Sequence, residues 1–315
     1  MAAALTSTAI VAGASMLGPL AGDAGAAVPL PTVTTTGAAH VSYGSATLEG
    51  SVDPHGANTS YYFQYGLTGA YGGQTAIADA GAGAHTVKVS LPISGLQPLT
   101  VYHYRLVAVN AAGAANGAEK TLLTEKVPLS LQILASPNPV LFGGALTVQG
   151  TLSGTENANR AVVLQANQFP FTAGFQSTGN PELTTAAGSF SFPVLGLTET
   201  TQFRVATTTN PPVISPAAVE NVAVRVDAHL ARAGRRHFIR IYGTVTPAED
   251  GMQVGFLRIT HGRGVLAGGT LLRHRTTTSS RFSRAVPVKP GVYRVLVRIT
   301  NGAQISTYSQ PLVIG

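Results

Sequence analysis

Neither cysteine nor tryptophan occurs among the 315 residues. The absence of cysteine excludes a disulfide framework, an iron–sulfur cluster, a thiolate zinc site, a cysteine nucleophile and a lipid-modified N-terminal cysteine. Charge is scarce as well: charged residues make up 10% of the chain, against about 25% in an average globular protein. The 13 acidic residues include no pair spaced for carboxylate hydrolysis and no DxDxD-like calcium run. Helical periodicity is missing after residue 31, and no later apolar run is long enough to cross a bilayer.

What is present is β-forming. Thr, Val, Ala and Ser fill most of the chain, punctuated by 36 Gly and 19 Pro. Short alternating runs recur every 8 to 12 residues between Gly, Pro and Asn clusters, the pattern of β-sandwiches. A hydrophobic content of 44% supplies a core for each domain. The expected fold is therefore all-β, with three tandem immunoglobulin/fibronectin-like β-sandwiches after an N-terminal signal segment. The expected boundaries are 1–26, 27–125, 126–225 and 226–315, with short linkers and a semi-rigid rod as the outcome.

The signal segment is read from the apolar stretch 2–20 and the small-x-small site Ala24-Gly25-Ala26. No basic residue precedes the stretch, the first anywhere being Lys88. A short membrane anchor is the alternative. A leader implies secretion, with the mature chain beginning near Ala27.

In the first domain Thr59, Tyr61, Phe63 and Tyr65 share one strand face, with Tyr62 and Tyr71 left for solvent. Within Leu96-Gln97-Pro98-Leu99-Thr100-Val101-Tyr102, Tyr102 stands where a sandwich places its tyrosine corner, a buried ring whose hydroxyl pins upstream backbone. Together with Gly50-Ser51-Val52-Asp53-Pro54-His55-Gly56, Tyr61 to Gly66, Tyr102-His103-Tyr104-Arg105 and Ala108-x-Asn110-x-x-Gly113, this segment resembles the fibronectin type III-like modules of actinobacterial surface proteins over about 80 residues. It departs from the animal fibronectin pattern in lacking the core Trp on the second strand, where Gly50 falls. The resemblance implies a fibronectin-like sandwich and a structural role.

The other two domains read as divergent copies of each other. Gly150-Thr151-Leu152 parallels Gly243-Thr244-Val245, Phe190-Ser191 parallels Phe282-Ser283, and Phe203-Arg204-Val205 parallels Tyr293-Arg294-Val295, with Tyr104-Arg105-Leu106 fitting the same late strand. They resemble the immunoglobulin-like repeats of bacterial surface proteins.

Catalytic motifs are absent. No two of the eight histidines lie closer than eight residues, which leaves no HxH or HExxH spacing, and no GxSxG elbow occurs. Asp53-Pro54-His55-Gly56 is turn chemistry. Gly81-Ala82-Gly83 precedes a strand, so it opens no phosphate loop. The chain is expected to be non-catalytic, with no cofactor and no metal.

Charge asymmetry is the one functional signal. Residues 227–315 hold 13 basic and 3 acidic residues, a net of +10, while residues 1–226 come to −3. Twelve of the thirteen are Arg, which suits bidentate contact with phosphate or carboxylate. The candidate binding residues are Arg235, Arg236, Arg240, Arg273, Arg275, Arg294 and Arg298. The partner they imply is an anionic cell-wall glycopolymer or another envelope component, with homotypic strand-edge contacts as a further means of assembly. Sequence-specific nucleic-acid recognition and a transmembrane span in the mature chain are not expected. The leading reading is a secreted or cell-surface structural or adhesion protein. A carbohydrate-binding accessory protein using Tyr62 or Tyr71, and a secreted hydrolase with a cryptic site, are the alternatives. The alternative for the arginines is a solvated surface with no ligand.

Overall fold

The computed structural model describes residues 27–315, so the expected leader at 1–26 lies outside the described residues. Every regular element among them is a β-strand. The chain divides into two compact units at Lys126/Val127.

The first unit is one sandwich of nine strands: β1 (Thr32–Ala39), β2 (Ser45–Asp53), β3 (Thr59–Gly66), β4 (Gly73–Gln74), β5 (Ala78–Gly81), β6 (Val87–Ser94), β7 (Val101–Asn110), β8 (Gly113–Asn116) and β9 (Lys120–Leu123). One sheet runs β1-β2-β6 and the other β4-β3-β7-β8, with β5 also on β3 and β9 also on β7. The two sheets face each other as a β-sandwich. Alternation sends Leu48 and Val52 of β2, Ile93 of β6, Phe63 of β3 and Leu106 of β7 into the shared core. Gly50 on β2 leaves room for a side chain of the facing sheet. A Cβ on Gly50 would stand 2.5 Å from Leu106 Cδ2, so the leucine fills the space above the glycine.

The second unit holds two cores. Around the first lie β10 (Ser130–Ser136), β11 (Val140–Leu141), β12 (Gly144–Ser153), β13 (Ala161–Gln168), β14 (Gln176–Leu183), β15 (Ser189–Leu197), β16 (Thr201–Thr207), β17 (Ala218–Glu220) and β18 (Val222–Ala223). They pair as β10-β12-β15 facing β14-β13-β16-β17, with β11 and β18 forming a parallel ribbon. Val148, Leu152, Phe190 and Phe203 centre the core.

Around the last core lie β19 (Arg225–Arg232), β20 (Phe238–Thr246), β21 (Gln253–Thr260), β22 (Arg263–Leu271), β23 (Arg273–Thr276), β24 (Ser279–Pro287), β25 (Gly291–Arg298), β26 (Thr307–Tyr308) and β27 (Leu312–Ile314). The sheets are β19-β20-β24-β23 and β22-β21-β25-β26, with β27 also on β25. Ile241, Phe256, Phe282 and Val295 fill the space between them.

The parallels between these two sandwiches have a geometric basis. Gly150 is the register partner of Phe190, and Gly243 of Phe282. In each case the ring lies over the glycine: an added Cβ would come 2.6 Å from Phe190 Cζ or 2.7 Å from Phe282 Cζ. The late strands repeat a second device. The amide of Val205 donates to Ser215 Oγ at 2.9 Å and that of Val295 to Ser309 Oγ at 3.0 Å, each serine closing back on the same residue's carbonyl. In the first sandwich the equivalent Leu106 amide finds Thr35 Oγ1 at 3.0 Å. A hydroxyl thus satisfies one buried amide wherever the closing strand breaks away.

The segment 299–306, after β25, closes the last sandwich onto the middle one. Ile305 donates to Val222 O at 2.7 Å and Ala303 O accepts from Thr200 N at 2.7 Å. Gln304 Nε2 reaches Thr198 O at 2.9 Å. Gly302, at φ +83°, lies against Phe169, where a Cβ would stand 2.7 Å from the ring.

Candidate functional site

The outer face of the β19-β20-β24-β23 sheet is where the arginines converge. Alternation turns Val226, Ile241 and Phe282 inward and leaves Arg240 and Tyr242 of β20 and Arg281 of β24 outward. Thr244 sits opposite Arg281, and Arg273 of β23 is the register partner of Arg281. A shallow depression of about 740 Å³ on this face is lined by Arg240, Arg275 and Arg281, with Asp227, His229 and Tyr242 beside them. The His229 and Tyr242 rings pack at 5.6 Å between centroids.

Asp227 lines the depression without pairing to an arginine within ion-pair distance. Among the described residues, none of the twelve arginines of 227–315 forms an ion pair with a carboxylate. Arg258 donates to Pro290 O at 2.9 Å. Of the three acids, Glu249 is buried and held by Asn301, while Asp250 is bound by Ser280 and His274. The Ser280 hydrogen bond, with lesser help from His274, holds the Asp250 carboxyl below its ordinary pKa.

The seven candidate arginines fall into three groups. Arg240, Arg273 and Arg275 belong to the sheet just described, and Arg235 and Arg236 occupy the exposed turn between β19 and β20. Arg294 and Arg298, on β25, face outward from the opposite sheet, so they do not share a surface with Arg240. Arg281, His229 and Tyr242 were not anticipated. The alternation around buried Ser280 and Phe282 is the signal that marks Arg281 as outward.

Ser280, Asp250 and His274 make the arrangement closest to a catalytic triad, and its order is wrong for one. Ser280 Oγ accepts from Glu249 N at 2.7 Å and donates to Asp250 Oδ1, while His274 Nδ1 sits 3.0 Å from Asp250 Oδ2. The carboxylate separates hydroxyl from imidazole, whereas a nucleophilic serine needs the imidazole beside it. The three residues clip the β20–β21 turn. Among the described residues no three His, Cys, Asp or Glu side chains cluster as metal ligands.

On the first sandwich, Tyr102 is buried and its hydroxyl accepts from Gln97 N at 3.0 Å. The Asp53-Pro54-His55-Gly56 segment is a turn, in which Asp53 Oδ1 accepts from His55 N at 3.0 Å. Tyr62 and Tyr71, read as solvent-facing, are half-buried. The Arg105 guanidinium lies 4.9 Å from the centroid of the Tyr71 ring, and the Tyr71 hydroxyl donates to Glu119. One face of the ring that a sugar would stack on is therefore taken. His103 holds the other Glu119 oxygen at 2.8 Å, and these hydrogen bonds keep the carboxyl below its ordinary pKa.

No family model matches the chain, and no curated protein matches it. Among solved structures it is similar to the FN1–FN3 domains of chicken CNTN1, at 15% identity and a TM-score of 0.29, over 90% of this chain and 98% of that one. It is similar to a segment of consecutive titin domains, at 15% identity and a TM-score of 0.36, over 90% and 98%. It is also similar to a tetra-tandem repeat from the extending region of a large adhesion protein, at 14% identity and a TM-score of 0.28, over 90% and 74%. At such scores the fold assignment rests on the strand pairing and cores described above. Among the described residues no helix is long and apolar enough to cross a membrane.

Proposed function

We propose that this chain is a non-catalytic, secreted structural or adhesion protein that docks on an anionic envelope glycopolymer through its last sandwich. The observation that carries the reading is the set of twelve arginines without an internal carboxylate partner. Three of them surround the depression on the β19-β20-β24-β23 face. A protein that needed these charges only for solubility would lose nothing by interspersing acids. Arginine forks at Arg240, Arg275 and Arg281 offer repeated bidentate contact to phosphate or carboxylate groups along a polymer.

The test is binding of the full chain to poly(glycerol phosphate) across a salt series. Affinity is expected to fall steeply between about 50 and 500 mM salt, as the Debye length shrinks to a few Å. The Arg240→Gln, Arg275→Gln, Arg281→Gln triple variant is expected to lose most of the low-salt affinity while keeping its melting temperature. Binding that is flat with salt, or a triple variant that binds like the parent, would overturn the proposal.

A further inference from the structure

The opposite sheet of the last sandwich differs from its counterparts in a way the fold does not require. Register makes Arg105, Arg204 and Arg294 equivalent, since they face Gln64, Gln165 and Leu257 across the same strand pair. In the first two sandwiches the arginine is occupied internally. Arg105 Nε donates to Gln64 at 2.8 Å and stacks on Tyr71, and Arg204 Nε donates to Gln165 at 2.7 Å with its guanidinium 4.1 Å from the Phe175 ring centroid. In the last sandwich leucine replaces the glutamine, and among the described residues no ring stacks on Arg294. The neighbouring position changes likewise, from His103 and Gln202 to Val292.

The outer surface beside Arg294 is a trough. Successive rows across β22, β21 and β25 read Leu271–Gln253–Arg298, then Gly269–Gly255–Leu296, then Leu266–Leu257–Arg294. The two paired glycines sink the middle row between leucine walls, and Leu266 and Leu271 are 68% and 53% exposed. The depression measures about 840 Å³ and meets a second of about 370 Å³ at Leu257. Arg273, Arg284 and Arg298 line the larger one, with no acidic residue. Gly255 has no backbone need to be glycine. Its φ is not positive, and a Cβ there would meet only Leu266 Cδ1 at 3.5 Å, inside the trough. A strand-interior glycine that the backbone does not need leaves room for something else.

We propose that this trough binds a single-chain anionic amphiphile, with the acyl chain on the Gly255–Gly269 floor and the phosphate or carboxylate head on the rim arginines. The volume lies within the range of small-molecule sites, and apolar walls with a few convergent cations match that ligand class. A second copy of this face would bring the same uncompensated arginines against it. A neutral sugar would leave them without partners.

The experiment is calorimetric titration of the full chain with dodecyl phosphate below its critical micelle concentration. Inorganic phosphate serves as the head alone, dodecyl maltoside as an uncharged chain, and an alternating aspartate–leucine peptide as the competing class. Dodecyl phosphate is expected to bind at least about tenfold more tightly than either fragment. Gly255→Leu, which fills the trough, and Arg298→Gln are each expected to weaken it about tenfold. Gly255→Leu leaves poly(glycerol phosphate) binding unchanged, and the Arg240, Arg275, Arg281 variant leaves dodecyl phosphate binding unchanged, so the two proposals fail separately. Equal affinity for inorganic and dodecyl phosphate, parental affinity in Gly255→Leu, or binding of the peptide without dodecyl phosphate would each overturn the inference.

Discussion

Gly150 and Gly243 show how one missing side chain fixes the packing of a sandwich. Each lies under a phenylalanine from the neighbouring strand and beside a backbone oxygen, 2.2 Å from Gln132 O or 1.8 Å from Asp227 O for an added Cβ. Backbone cannot retreat without breaking the strand pairing, so the glycine is compulsory. Gly150→Ala or Gly243→Ala is expected to cost about 1–3 kcal/mol or more through overpacking, read as a lower urea midpoint. Gly255→Ala, on the open outer face, is the control and is expected to stay within about 0.5 kcal/mol of the parent or rise. Tyr102 sets a different kind of constraint. Tyr102→Phe keeps the buried ring but orphans the Gln97 amide, an expected loss of about 1 kcal/mol. The last sandwich ties its own corner with Tyr293, whose hydroxyl donates to Lys289 O at 3.0 Å.

At the scale of elements, the segment 299–306 is what joins the two cores of the second unit, and Gly302 is its tightest point. Gly302→Val introduces strain at φ +83° and drives a side chain into Phe169. The parent segment 127–315 is expected to melt in one transition, and the variant in two. Gly251→Val separates strain from contact: it shares φ +83° but meets nothing within 4 Å, so it is expected to lower one transition without splitting it. This junction was not legible in the sequence, because its donors and acceptors are mostly backbone groups brought together over about a hundred residues. The sandwiches were legible, because alternation at Tyr61, Phe63 or Ile241 states which face is inside. The charged surface was legible in amount but not in arrangement. Alternation marks Arg240 and Arg294 as outward, yet only the pairing of strands places them on opposite sheets. Arg281 could have been added by the same alternation, while the trough at Gly255 needed the register of β21 on β22.

For the whole molecule, buried and exposed carboxyls pull stability in opposite directions with pH. Burial raises the Glu220 and Glu249 carboxyls above their ordinary values; Glu249 is partly offset by Asn301, and Glu220 Oε2 has no hydrogen-bond partner. A raised folded pKa means the native state binds the proton more tightly than the unfolded chain. Their contribution is therefore complete below the unfolded value of about 4.3 and is lost as pH rises through the folded values. Glu119 and Asp250 are lowered, so theirs is present above the unfolded value and lost as pH falls through the folded one. Only the second unit carries the raised pair. Its melting temperature is thus expected to fall on going from pH 5 to pH 8, while the first unit weakens on acidification through Glu119 and, through the raised hydroxyls of Tyr61, Tyr71 and Tyr104, at strongly alkaline pH. Glu220→Gln and Glu249→Gln together remove the charge from both buried sites and are expected to flatten the fall above pH 5. At pH 7.5 they should raise the melting temperature by a few degrees, at roughly 2–4 °C per kcal/mol for a unit of this size. A double variant that melts below the parent at pH 7.5 but matches it at pH 4.5 would mean that the charged Glu249–Asn301 contact outweighs the burial of both carboxylates.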